Sequence, residues 1–422
     1  MQILNKAMKN NKKSIAWLSD NEIAEIFSCL NKSNDHEISS LFVGGCVRNA
    51  ILGRTSHDID IATRYTPEQV ISLLRDNDIQ AIPTGIAHGT VTAVKGSQSV
   101  EITTLRRDIR TDGRHADIAF TQDWVEDARR RDFTMNTLLA DREGHVYDPL
   151  GCGVADLKRG RVIFVGDAET RIREDYLRIL RFFRFHAFYG QGDPCKSALE
   201  ACRKHAMNIA RLSAERITHE LTRLMMSHQP AKTIQIMTEN NILDWLGQNT
   251  LEGMSIDCLD QVTESQKAHD VHNLPGRIVA LAGANEDTLR GLTDQLVFSN
   301  NDIKTMKHIQ KATDQFDTNI DLHNLQTVAY THGNQEAIQA ALIAHHGRNV
   351  TLRPDDIDNL KTWTVPKLPV SGKDLIHAGA SEGEKLGRDL QKIEKWWIKN
   401  YFTPDKDACL AFYHSQINQD YS

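Results

Sequence analysis

Strand-forming runs crowd into the first third of this chain and then stop. Leu41-Phe42-Val43, Ile59-Asp60-Ile61-Ala62, Thr90-Val91-Thr92-Ala93-Val94 and Val100-Glu101-Ile102-Thr103-Thr104 are short and rich in β-branched residues. Between the second and third, Pro67 through Leu74 reads as a helix capped by Thr66, with Pro67 in its first turn. Past Asp148-Pro149 the apolar spacing becomes helical and stays so, with caps such as Ser213 before Ala214-Glu215-Arg216. A sheet can therefore form only in the N-terminal part. The pattern predicts an α+β chain, an α/β head with a small mixed sheet followed by an all-α remainder. Ahead of the head, apolar positions Ile15, Trp17, Leu18, Ile23, Ile26, Phe27 and Leu30, interrupted at Ser19-Asp20-Asn21, predict two short helices. A chain of 422 residues needs more than one core. Turn-rich seams near residues 190–194, 228–230 and 366–369 suggest where it divides. The expected parts are a head over 1–150 with a helical extension, a neck over 151–225, a body over 226–330 and a tail over 331–422.

No run of eighteen apolar residues exists, so no segment is suited to span a bilayer as a helix. The start, Met1 to Lys6, lacks the pattern of a secretory signal, which leads us to expect a cytoplasmic protein. Seven scattered cysteines without a Cys-x-x-Cys pair fit free thiols in a reducing compartment. His269-Asp270 lacks the further His and Asp partners a metal site needs and is not taken as one. The formal net charge of −6 argues against a surface basic all over, so binding to nucleic acid needs a local patch. Residues 171–223 provide it, with eleven Lys/Arg against six Asp/Glu.

The densest chemical signal is Val43-Gly44-Gly45-Cys46-Val47-Arg48, followed by Asp58-Ile59-Asp60. A strand, two glycines and a helix start present backbone N–H groups to a phosphate, and Arg48 adds positive charge one turn in. Residues i and i+2 of a strand share a face with Cα atoms roughly 6 to 7 Å apart, and two such carboxylates repel unless a cation lies between them. Asp58 and Asp60 thus suit a site for two Mg²⁺ ions, one activating a hydroxyl and the other steadying a leaving pyrophosphate. Glu101, alone among the apolar and Thr residues of its run, is the candidate third carboxylate. Taken singly, the glycines could form a plain turn, Asp58/Asp60 a solvated strand edge, and Glu101 could simply face water.

These residues and those that follow resemble, in order, the motifs of the class II CCA tRNA nucleotidyltransferase and bacterial poly(A) polymerase family. The first motif is Phe42 to Arg48 with Asp58 to Thr63. Glu101 to Arg106 and Asp112-Gly113-Arg114-His115-Ala116 resemble its strand and flexible loop, and Arg130-Arg131-Asp132-Phe133-Thr134-Met135-Asn136 its second motif. Asp148-Pro149 with Gly153 to Leu157 resembles the third, Glu174 to Arg178 with Arg181 and Arg184 the fourth, and Leu212 to Arg216 the fifth. The resemblance implies a DNA polymerase β-like head, a nucleotide-selecting neck and a tRNA-binding tail. It also implies that Arg131 contacts nucleotide and that Asp132 and Asn136 position sugar or neighbouring loops, joining Gly44, Gly45 and Arg48 in the nucleotide site; Phe133 reads as core rather than as a stacking platform. Asn49 departs from the Asp usual after the motif Arg.

The fourth motif also speaks through its spacing. On one helix, Glu174, Asp175, Arg178, Arg181 and Arg184 fall within half the circumference, opposite Tyr176, Ile179, Leu180, Phe183 and Ala187. Cytosine and adenine offer an amino donor beside a ring-nitrogen acceptor, whereas uracil and guanine offer a carbonyl beside a ring N–H. Asp175 accepting and Arg178 donating therefore complement C and A alone. A row of surface salt bridges would have the same spacing. The resemblance implies that the chain adds C, C and A to tRNA from CTP and ATP without a template. The alternatives are addition of A residues to RNA ends, or an RNA-binding scaffold that has lost catalysis. The Asp112 to Ala116 loop, the length, and Pro369 to Ile376 with Gly383 to Leu390 favour the first. Nothing in the sequence points to a protein partner.

Overall fold

The computed structural model describes residues 2–4, 15–32, 38–112, 115–317 and 319–417. Its contacts form two compact units, Met1–Gly247 and Gln248–Ser422.

The first unit is built on an eight-stranded mixed sheet. In chain order its strands are β1 (Gln2–Leu4), β2 (Ser40–Val43), β3 (Ile59–Thr63), β4 (Gln80–Gly85), β5 (Thr90–Lys95) and β6 (Gln98–Thr104). A hairpin of β7 (Arg106–Asp112) and β8 (His115–Phe120) stands apart, before β9 (Leu139–Ala140) and β10 (Val146–Asp148) complete the sheet. The spatial order is β1-β10-β9-β2-β3-β6-β5-β4. The β3–β6 pair is parallel and its neighbours are antiparallel, so Asp60 stands opposite Glu101. All four expected strands are present. The sheet is larger than expected because β1, β4, β9 and β10 add pairings that their lengths and residue patterns did not announce. The charged hairpin β7–β8 was read as a flexible loop over Asp112 to Ala116. That loop is the hairpin tip, and Gly113 and Arg114 lie outside the described residues.

Alternation along β2 explains how both faces are covered. Leu41 and Val43 point into a core with Ala62, Leu105, Trp124, Leu139 and Tyr147. Phe42 points the other way, its ring 4.6 Å from Phe27 and 4.5 Å from Trp17. Those partners belong to α1 (Ala16–Ser19) and α2 (Asn21–Cys29), the two short N-terminal helices, with the Asp20 side chain capping the second at Glu22 N and Ile23 N. The helix α3 (Gly45–Ile51) follows β2 directly, and α4 (Pro67–Arg75) begins at a capping box formed by Thr66 and Gln69, as Thr66-Pro67 predicted.

Helix α5 (Trp124–Arg129) lies within the head, before β9, and α6 (Gly153–Lys158) leads out of it. The buried Asp148 accepts from Gly151 N and Val154 N, so it ends β10 and starts α6. A Cβ on Gly153 would lie 2.5 Å from the Thr134 carbonyl oxygen and 2.9 Å from Leu138 Cδ2. Gly153→Ala should therefore cost about 2 kcal/mol through overpacking against backbone and lower the melting temperature by roughly 5 °C. A thermal melt at wild-type temperature would mean that α6 moves aside freely.

The rest of the first unit is helical, with α7 (Ala168–Glu174), α8 (Leu177–Tyr189), α9 (Lys196–His205) and α10 (Ala214–Met225). Two expectations are corrected here. Residues 174–184 do not form one helix. The chain is extended at Asp175 (φ −158°, ψ 109°), and Asp175 Oδ1 accepts from Leu177 N, replacing the helical ladder at the start of α8. Ser213 sits at the start of α10 but makes no capping bond through its side chain.

Among its described residues the second unit is helical apart from one short parallel pairing, Asn319–Ile320 with Thr351–Leu352. In its helix Asn334–Arg348 the middle, Ala337 to Ala344, is apolar except for Gln339 and is buried on every side, whereas both ends are polar. Toward the C-terminus, Val370, Leu375, Ile393, Trp397, Cys409 and Tyr413 form a separate core. Among the described residues, no helix is long and apolar enough to cross a membrane.

Candidate active site

The site grows out of the turn between β2 and α3. Gly44 has a φ of +73°, a conformation that a side chain disfavours, and a Cβ there would lie 3.7 Å from Arg131 Nη1. Asp60 follows on the neighbouring strand. Along β6, Val100 and Ile102 are buried and Glu101 is exposed, so pleating puts Glu101 on the opposite face from those two, beside Asp60 in parallel register.

Asp58 immediately precedes β3 and is exposed, whereas Asp60 is half-buried. Burial pushes the Asp60 carboxyl up to about 6, the Glu101 and Asp58 carboxylates push in the same direction, and Arg131 opposes them. Mutual repulsion among three oxygen donors is the signature of a hard-cation site. Their oxygens are not gathered to ligand spacing. Among the described residues, the trio with ligand atoms within 4.8 Å of one another is Asp141, Glu143 and His145. There Asp141 accepts from Tyr147 and from the His145 backbone, and its carboxylate lies 2.7 Å from the His145 ring, so the turn between β9 and β10 accounts for the cluster.

From the turn, a chain of polar contacts runs into the helices. Arg48 donates to Asn136 and, at 2.8 Å, to Tyr189 Oη, with its guanidinium over the Tyr189 and Phe185 rings. Burial lowers its pKa from the usual arginine value, partly offset by Tyr189 and Asp132. Asn136 Nδ2 donates to Asp132 Oδ1 at 2.9 Å, and Arg181 Nε donates to Asp132 Oδ2 at 2.8 Å. Burial alone would raise the Asp132 carboxyl, but Arg181, Asn136 and the Phe133 amide hold it below the ordinary carboxylate range. Beyond Arg181, the buried Glu220 of α10 accepts from Arg181 and Arg184. Phe133 is wholly buried among Phe164, Phe182 and Phe185.

The predicted selecting pair is held apart. Asp175 Oδ2 accepts from Arg216 Nη2 at 2.7 Å. Arg178 donates to Glu174 and, at 2.6 Å, to the Arg171 carbonyl. Arg131 is bound to Asp127 through Nη2 at 2.8 Å.

A cavity of about 590 Å³ joins these groups. Gly44, Gly45, Arg48, Asp60, Arg131, Asp132, Asn136, Asp175, Arg178, Arg181 and Arg184 all line it, with Asp58 and Glu101 outside the lining. Leu177, Phe185, Arg216 and Arg223 line it too, without having been assigned a role from sequence. Glu220 was also missed, although its position four residues after Arg216 puts the two on one face of α10. Seven arginines against three acids make the cavity a place for a polyanion.

A family model described as "Poly A polymerase head domain" matches residues 40–163, and one described as "Probable RNA and SrmB- binding site of polymerase A" matches 196–249. The mitochondrial CCA tRNA nucleotidyltransferase 1 of Danio rerio is 33% identical over 401 residues, 92% of this chain and 89% of that protein. The CCA-adding enzyme of Leuconostoc mesenteroides is 31% identical over 401 residues, 92% of this chain and 95% of that one. In fold, the chain resembles the Bacillus stearothermophilus CCA-adding enzyme in complex with CTP, with a TM-score of 0.75 at 23% identity over 95% of this chain and 99% of the other. With two such relatives matched over nearly their whole length, the chain belongs to the CCA tRNA nucleotidyltransferase family, whose head domain is shared with the poly(A) polymerases.

Proposed function

We propose that the protein adds C, C and A to the 3′ end of tRNA, taking CTP and ATP without a nucleic-acid template and releasing pyrophosphate. One observation carries this reading. A single arginine-rich cavity, within the size range of small-molecule sites, is lined both by the carboxylate of Asp60 and by Asp175 and Arg178. The names of the relatives support the same substrates. In the reaction the tRNA 3′-oxygen bonds to the α-phosphorus of the nucleotide, and the bond from that phosphorus to the bridging oxygen of pyrophosphate breaks.

The donor set fits a hard cation, with Asp58 and Asp60 as its ligands and Glu101 beside them. Two Mg²⁺ ions held there would acidify the 3′-hydroxyl and neutralise the leaving pyrophosphate. The chain's own groups do the rest. Gly44 and Gly45 admit the phosphates to the start of α3, where Arg48 and Arg131 offer positive charge. Asp132 and Asn136 hold Arg181 and Arg48 in position around the sugar. Asp175 accepts from the amino group of C or A, and Arg178 donates to the adjacent ring nitrogen. In this reading, residues 1–150 are the catalytic head, 151–225 the selecting neck, 226–330 the body and 331–422 the tail that meets tRNA. The cytoplasm is the proposed compartment, consistent with seven unpaired cysteines.

The test gives purified protein a tRNA lacking its CCA end, with CTP, ATP and Mg²⁺, and reads product length. Three residues added and then arrest is the expected result. A long ladder of A on arbitrary RNA would make the chain a poly(A) polymerase instead. On the same substrate, Asp175→Ala should raise UTP use relative to CTP by roughly 10- to 100-fold, the scale of one lost base-reading pair. An unchanged ratio would remove Asp175 from nucleotide selection.

A further inference from the structure

Asp175 and Arg178 lie three residues apart and are drawn together where the Arg178 amide donates to the Asp175 carbonyl at 3.0 Å. A template made of one acceptor and one donor has a built-in weakness. If the two pair with each other, both are satisfied and neither reads a base. In this structure each is held by another partner. Arg178 is taken by Glu174 and the Arg171 carbonyl from its own side of the cavity. Asp175 is taken by Arg216, which reaches across from α10.

The geometry of Asp175 makes that second tie decisive. Its backbone is extended between α7 and α8, so no helical turn fixes its side chain. Two bonds do so instead, Leu177 N to Oδ1 at 3.1 Å and Arg216 Nη2 to Oδ2 at 2.7 Å. An ionised carboxylate has about four acceptor sites, so one remains on each oxygen for a base amino group. The helix that carries Arg216 is itself anchored, because Glu220, one turn further along α10, is buried and accepts from Arg181 and Arg184 of α8.

We propose that Arg216 is a specificity-determining positioning residue that keeps Asp175 away from Arg178 and aims its free acceptor sites at the nucleobase. This rests on the reading of Asp175 as the base-selecting acceptor. Without Arg216, Asp175 turns to Arg178, the template satisfies itself, and discrimination against U is lost along with efficiency toward C.

The test measures kcat/KM for CTP and UTP separately on tRNA lacking CCA, with wild type, Asp175→Ala, Arg216→Ala, Arg216→Lys and the Asp175→Ala/Arg216→Ala double variant. Arg216→Ala should lower kcat/KM for CTP and raise the UTP/CTP ratio about tenfold, and Arg216→Lys should restore part of that ratio by retaining the charge. The double variant should show the ratio of Asp175→Ala alone, since Arg216 acts through Asp175. Equal losses for CTP and UTP in Arg216→Ala, with Asp175→Ala relaxed, would overturn the proposal and make Arg216 a general phosphate contact. Multiplying effects in the double variant would overturn it as well. If Asp175→Ala leaves the ratio unchanged, the reading of Asp175 itself fails, and the proposal with it. Should Arg216→Ala fail to fold, Arg216→Lys and Arg216→Gln carry the comparison. Gln is then expected to relax the ratio more than Lys, and an equal ratio in both overturns the proposal.

Discussion

Asp60→Asn should abolish nucleotide incorporation, by about 10³-fold or more, and at the same time make the metal-free protein more stable. Both effects have one origin. The carboxylate is held beside Glu101 and Asp58 in a half-buried position that Arg131 compensates only in part, and removing a preorganised electrostatic group at such a centre costs activity on this scale. Because the folded protein raises this carboxyl from 3.8 to about 6, the native state binds more protons than the unfolded chain between those values. Stability from this group is therefore present at low pH and falls as pH rises through about 6. Above that pH, wild type carries a penalty of about 2 kcal/mol, discounted from the roughly 3 kcal/mol of a full two-unit shift because the site is not fully buried. The melting temperature of Asp60→Asn should exceed that of wild type at pH 7.5 without metal, and the gap should close toward pH 4. Added Mg²⁺ should raise the wild-type value and leave the variant unmoved. Incorporation within tenfold of wild type would remove Asp60 from the chemistry.

Asp132→Ala should be the most destabilising single change at the site, by about 2 to 3 kcal/mol, discounted from the cost of breaking a fully buried pair because the Arg181 guanidinium it strands is only half-buried. Asp132 accepts from Arg181, Asn136 and the Phe133 amide, and the first of those bonds crosses from the head to α8. In a unit of this size the loss corresponds to roughly 5 to 8 °C in melting temperature. The carboxyl is held below its ordinary value, so its contribution is fully present above about pH 4 and fades as pH falls through the folded pKa. Urea unfolding of Asp132→Ala, Arg181→Ala and the double variant should show a double cost well below the sum, since the second truncation removes the charge stranded by the first. Additive costs would mean that the two side chains act independently.

Much of this was legible in the chain. Short β-rich runs announced β2, β3, β5 and β6, and with them the strands that carry Asp60 and Glu101, because β-branched residues suit a pleated backbone wherever it pairs. The Thr66-Pro67 start of α4 and the Asp20 break between α1 and α2 were equally local. The short strands β9 and β10 and the charged hairpin β7–β8 were not legible, since strands of two or three residues have no period to detect and a ribbon outside the core needs no apolar face.

For the site, sequence determined which groups exist. It supplied the carboxylates of Asp58, Asp60 and Glu101, the glycine turn, and a row of arginines following Glu174 and Asp175. Tertiary structure decided which groups meet. Parallel pairing of β3 with β6 set Glu101 beside Asp60, the break at Asp175 ended the single helix that spacing had suggested, and α10 brought Arg216 to Asp175 and Glu220 to Arg181 and Arg184. Helical spacing can announce partners three or four residues apart, because one turn of backbone brings them together. Arg216 and Asp175 are 41 residues apart, and only the packing of α10 against α8 closes that distance.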